Sequence, residues 1–165
     1  GILDQQPMHG YDLFRQISEM EAIPHIWNLK QSMLYALLDK LEEKGLLSCT
    51  VIPGETRPSR KQYELTETGR EAFQDWRKSP VKHGREMRQD FIARLYFANQ
   101  NSKADAGMLI DLQKQVCENW LKDFQTSYDK LPTEAKFDHL IISFRVNQVK
   151  GMLDWLEICR QTLQG

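Results

Sequence analysis

The stretch NLKQSMLYALLDKLEEKGLLSCTVIPGETRPSRKQYELT, residues 28–66, changes its hydrophobic period midway, and that change decides the fold. In the first half, Leu34, Leu37, Leu38 and Leu41 recur at helical spacing, which predicts a helix over residues 29–44 with one apolar stripe. Asn28 is placed to cap it, and Gln31 three positions later to return the bond. Gly45 closes it, because glycine tolerates the left-handed backbone that follows a last helical turn. In the second half the pattern becomes β-branched in LLSCTVIP, then turn-forming in PGETRPS. RKQYELT then alternates, with Tyr63 and Leu65 on one face. This is a β-hairpin.

Working outward, all six prolines fall between periodic segments and act as punctuation. Upstream, HGYDLFRQISEM spaces Tyr11, Leu13, Phe14 and Ile17 as a short amphipathic helix. Ile2–Leu3 reads as the end of a helix. Gly1 is not a start methionine, so a few residues are expected to precede it. Downstream, Thr66 can cap a helix carrying Ala72, Phe73 and Trp76, with Glu67 favourable in its first turn. Helix, helix, hairpin, helix describes a winged helix-turn-helix domain over residues 1–80.

Residues 81–165 carry no strand signal. Helices are expected over about Arg85–Ala98, then Lys103–Lys130 with Ser102 as cap, then from Pro132 to about Leu163. The last carries Phe137, Leu140, Ile141, Phe144, Val149, Met152, Leu153, Leu156 and Leu163, an apolar surface wider than one antiparallel neighbour would cover. A helix of ~30 residues is ~45 Å long, too long for so small a domain to bury. Self-association accounts for it most simply; an intramolecular three-helix bundle is the alternative. The fold class expected is mainly α: a winged helix-turn-helix domain plus a C-terminal long-helix dimerisation domain.

Composition narrows the function. With 41% hydrophobic and 27% charged residues, the chain matches ordinary soluble globular proteins. No apolar run approaches the ~18 residues of a membrane span, and no secretory leader opens the residues given, so a cytoplasmic protein with no membrane partner is expected. Cys49, Cys117 and Cys159 form no paired motif and read as buried thiols of a reducing compartment. His9, His25, His83 and His139 are scattered, so no metal spacing exists. No nucleophile–base spacing, phosphate loop or cofactor motif is present either, so neither catalysis nor a cofactor is expected. Residues 1–80 hold 10 basic and 12 acidic side chains, so total charge alone would not suggest nucleic acid. The local arrangement does, since only a contacting face needs positive potential.

On the helix after Asn28, the N-terminal half offers Lys30, Gln31, Ser32 and Tyr35, while Asp39, Glu42 and Glu43 lie in the later half. A recognition helix enters the major groove with its N-terminal half, so this polarity suits double-stranded DNA. Arg57, Arg60 and Lys61 lie within five residues free of acid beside the hairpin turn, where cations reach phosphates or a minor groove. Taken alone, such cations would be a solvated turn.

PMHGYDL, QSMLYALLDKLEEKGLL and RKQYELTETGREAF, in that order over residues 7–73, resemble the PadR family of bacterial transcriptional regulators. The helical remainder is similar, in pattern and length, to the long-tailed branch of that family, which resembles virulence-gene activators. The resemblance implies a cytoplasmic homodimer binding an inverted-repeat operator, with Tyr11, Ser32 and Tyr35 near DNA beside Arg60 and Lys61. It also implies repression and, in several relatives, release by a small aromatic effector. Trp120, Phe124 and Trp155 could wall an effector site, or could be core and dimer packing. An activator, a multidrug-responsive regulator and a winged-helix module for protein assembly remain the alternatives. The last would need an acidic or apolar recognition face.

Overall fold

Where the hydrophobic period changes, the backbone changes from helix to strand. The computed structural model describes residues 1–21, 27–53 and 60–164. Contacts divide the chain into two units, Gly1–Trp76 and Arg77–Gly165.

The first unit opens with a 3₁₀ turn, Ile2–Asp4, then strand β1 (Met8–His9) and helix α1 (Gly10–Ser18). Helix α2 (Gln31–Glu43), strands β2 (Leu47–Ile52) and β3 (Arg60–Leu65) and helix α3 (Glu67–Lys78) follow. Two expectations need correction. Helix α2 starts at Gln31 behind Lys30, which donates no side-chain cap, so the Asn28 box does not form. The hairpin is also not alone: β1 pairs antiparallel with β3, giving the sheet order β1-β3-β2 among the described residues.

The other end of α2 forms as its glycine predicts. Gly45 takes φ 67°, its N–H bonds to Glu42 O at 2.8 Å, and Leu46 N–H bonds to Leu41 O at 2.9 Å. These paired bonds satisfy carbonyls that the last turn would otherwise leave open. Thr66 then caps α3, its hydroxyl oxygen accepting from Gly69 N–H at 3.0 Å. Arg70 ties the same helix to the opening turn through Asp4, at 2.5 Å. Leu3, Leu13, Leu34, Leu38, Leu47 and Tyr63 form the core of this unit. Tyr63 is fully buried, and burial pushes its phenol up to about 12. Only half of the leucine stripe enters that core. Leu34 and Leu38 are buried, whereas Leu37 and Leu41 are exposed.

The second unit holds a 3₁₀ turn (Gly84–Arg88) and helices α4 (Asp90–Asn101), α5 (Lys103–Asp129) and α6 (Lys136–Gln164). Ser102 caps α5, accepting from Asp105 N–H at 3.0 Å. The single helix expected over Arg85–Ala98 is split at Gln89, which takes φ −120° and ψ −58°; Glu86 closes the start of the 3₁₀ turn, accepting from the N–H groups of Lys82 and His83 at 3.2 and 3.1 Å. Arg94 holds the next helix, donating to Asp90 at 2.6 Å and to Ser79 O at 2.7 Å. Phe91, Leu109, Ile110, Val149 and Leu156 are among the core residues, with Trp120, Phe124 and Trp155 packed partly buried against them. Cys117 and Cys159 are buried thiols whose pKa values burial raises, that of Cys159 to about 11; Cys49 is only half-buried.

Among the described residues, Gln113 is the one fully buried amide in this core. Its Oε1 accepts from Val81 N–H at 2.7 Å and its Nε2 donates to Val81 O at 3.4 Å, so one side chain satisfies both backbone polar groups of one residue. Replacing it by leucine leaves both groups buried without partners, which costs about 1–3 kcal/mol. Urea unfolding of Gln113→Leu is expected to show that loss; an unchanged midpoint would mean that water reaches the Val81 backbone groups.

Candidate nucleic-acid interface

Tyr11, Tyr35, Arg60 and Lys61 come from three elements and line one open cleft of about 530 Å³, together with His9, Gly10 and Asp12. Local chemistry builds each wall. Gly10 begins α1 where a side chain has no room, since a Cβ there would stand 2.6 Å from Tyr35 Cε1. Tyr35 thus packs half-buried on the core and also lines the cleft. Tyr11, one residue on, is 59% exposed and free to meet a ligand. Register places Arg60 opposite Ile52 and Lys61 opposite Val51, so both cations sit at the hairpin end of β3.

Lys61 Nζ lies 3.9 Å from Asp39 of α2, with both side chains more than half exposed. Such a pair is weak, so the lysine can exchange its partner for a phosphate at little cost. Asp39, in the later half of the same helix, thus reaches the wing. Lys30, Gln31 and Ser32 are exposed at the start of α2 but are not walls of this cleft. Arg57 lies outside the described residues.

His9 was not among the residues expected at the interface. It lines the same cleft because β1 lies beside β3, with its Nδ1 3.2 Å from Lys61 O. A strand of two residues is too short for alternation to reveal.

In the second unit, a cleft of about 550 Å³ is lined by residues including Arg85, Arg88, Met87, Ile92, Met152 and Trp155. Of the three aromatics expected to wall an effector site, only Trp155 belongs to it, and it also meets Phe91 edge-on, with centroids 6.0 Å apart. Phe124 instead carries the Arg145 guanidinium over its ring at 5.2 Å, and Trp120 packs on the core. Helix α6 is divided in its burial: Val149 and Leu156 are buried, whereas Phe137, Leu140, Ile141 and Phe144 are 73%, 64%, 49% and 64% exposed. That spacing is one uncovered helical stripe.

Among the described residues no group of three or more His, Cys, Asp or Glu is placed to hold a metal ion, and no helix is long and apolar enough to cross a membrane. Two family models match the chain: the transcriptional regulator PadR-like family over residues 1–75, and the virulence activator alpha C-terminal region over residues 87–164. The negative transcriptional regulator PadR of Bacillus subtilis is 30% identical over 169 residues, which cover 95% of this chain and 90% of that protein. The chain belongs to the PadR-like family of transcriptional regulators. Among solved structures, it is similar to Bacillus subtilis PadR in complex with operator DNA, at 24% identity and a TM-score of 0.46, covering 98% of this chain and 93% of that one. It is also similar to Bacillus subtilis PadR in complex with p-coumaric acid, at 24% identity and a TM-score of 0.41, covering 100% and 95%.

Proposed function

We propose that this PadR-like regulator is a cytoplasmic dimeric repressor, with no catalytic step of its own, that binds an inverted-repeat operator through this cleft and the start of α2. The observation that carries the reading is the convergence of Tyr11, Tyr35, Arg60 and Lys61 on one face of the first unit. Two tyrosine hydroxyls and two cations suit a phosphate backbone, and Lys30, Gln31 and Ser32 supply groups for phosphates and base edges. Arg57, which lies in the sequence between β2 and β3, is proposed with them. The uncovered stripe Phe137, Leu140, Ile141 and Phe144 on α6 supports a second copy as partner, since so apolar a face gains by leaving water. Two copies related by a two-fold axis read two half-sites.

A second reading concerns control. The cleft of the second unit has an apolar floor of Met87, Ile92, Met152 and Trp155 and two guanidinium groups, Arg85 and Arg88. An aromatic carboxylate matches that pairing of a ring-sized floor with a bidentate anion partner. Trp155 therefore enters the proposal as an effector contact, with Trp120 and Phe124 as supporting packing.

Fluorescence anisotropy with DNA from upstream of the protein's own gene tests both readings. Binding is expected with two protomers per site and an affinity that falls steeply with salt. Addition of p-coumarate is expected to release the DNA. Absence of a salt-dependent shift would overturn the DNA reading; binding that ignores p-coumarate and related aromatic acids would overturn the effector reading alone.

A further inference from the structure

We propose that His9 is a DNA-backbone contact that engages when its ring is protonated, making DNA affinity rise as pH falls. This rests on the DNA-binding reading above and adds a residue and a proton to it. His9 is the last residue of β1, paired with Gln62 in register, and its Nδ1 lies 3.2 Å from the carbonyl oxygen of Lys61. A carbonyl only accepts, so Nδ1 carries the hydrogen whether the ring is neutral or charged. The tautomer is thereby fixed, and gain or loss of a proton falls wholly on Nε2.

Nε2 has no hydrogen-bond partner among the described residues, and the ring lines the cleft shared by Tyr11, Tyr35, Arg60 and Lys61. In the neutral ring, Nε2 presents a lone pair, which a phosphate oxygen repels. In the protonated ring it presents an N–H donor and a positive charge beside two cations already in place. Histidine as a residue type makes this change between about pH 5 and pH 8.

The charged and titratable groups that line the cleft with it are Arg60 and Lys61 from β3, Tyr11 and Asp12 from α1 and Tyr35 from α2. Arg15 and Glu19 of α1 border its other side. Arriving DNA adds phosphates to this set, so binding DNA and binding the proton favour each other, and the coupling is reciprocal. The bond to Lys61 O also holds the ring against the wing strand, so the charge appears at a defined position.

The test compares wild type with His9→Asn on a ~30-base-pair mixed-sequence duplex, because a phosphate contact acts whatever the sequence. Asparagine can donate its amide N–H to the Lys61 carbonyl in place of Nδ1 but has no nitrogen that titrates. Wild type is expected to bind up to about fivefold tighter at about pH 6 than at about pH 8. Its salt dependence should steepen by about 0.9 in log–log slope per protomer at the lower pH. His9→Asn is expected to lose both differences while keeping the wild-type thermal midpoint. An equal pH response in the two proteins, or none in wild type, overturns the role of His9 and leaves DNA binding standing; absence of binding to any duplex overturns both.

Discussion

An Arg60→Ala, Lys61→Ala variant is expected to fold as wild type does and to bind DNA at least about tenfold more weakly at low salt, with a visibly shallower salt dependence. Both side chains are exposed, and the ion pair of Lys61 with Asp39 spans 3.9 Å in solvent, so removing them takes little from stability. Each phosphate neutralised contributes about 0.9 to the log–log slope of affinity against salt, so two lost cations per protomer should lower it by about 1.8 per protomer. An Arg60→Lys, Lys61→Arg exchange keeps both charges and should keep most of the slope. The measurement is anisotropy across a salt series, with circular dichroism to confirm folding. A wild-type slope in the double alanine variant would remove the wing from the interface.

Gly69→Ala is expected to produce the largest loss of stability. Gly69 sits in the first turn of α3, and a Cβ there would stand 1.9 Å from Leu46 O and 2.8 Å from Leu46 C. That carbonyl cannot easily withdraw. Its oxygen accepts from Thr66 N–H at 3.2 Å, while the N–H of the same residue closes the end of α2 on Leu41 O. Accommodating one methyl therefore means parting α3 from the corner between α2 and β2. Overpacking of this kind costs about 3 kcal/mol or more, a fall in Tm of roughly 10 °C. Gly45→Ala is the useful comparison. Its Cβ meets open space, so only the positive φ resists, at about 1 kcal/mol. A loss at Gly69 no larger than that at Gly45 would show that the Leu46 corner gives way at little cost and that the close approach does not make Gly69 necessary.

The two glycines also mark how far the sequence could be read. Gly45 was legible because its demand is local: a helix stripe ends, and the next residue must turn left-handed. Gly69 was not, since the atom it avoids lies on a different element. His9 follows the same division. Nothing in PMHGY announces a strand, and its partner Lys61 is 52 positions away. For the leucines after Lys30, spacing predicted the helix but overstated its buried face, because how much of a stripe is covered depends on what packs there. On α6, spacing could not separate Val149 and Leu156, which enter the core of their own unit, from Phe137 and Phe144, which stay uncovered.

What the sequence determined by itself is therefore the run of elements and their chemistry: a glycine-ended helix, an alternating hairpin with cations at its end, and long apolar helices after it. These are encoded by periods of a few residues, which backbone geometry turns directly into helix or strand. Tertiary structure decided which of those side chains meet. The β1–β3 pairing brought His9 to Lys61, the close approach at Gly10 brought Tyr35 to Tyr11, and together they made a single cleft from residues 9 to 61. Such meetings depend on hydrogen bonds and packing between distant segments, for which no local period exists.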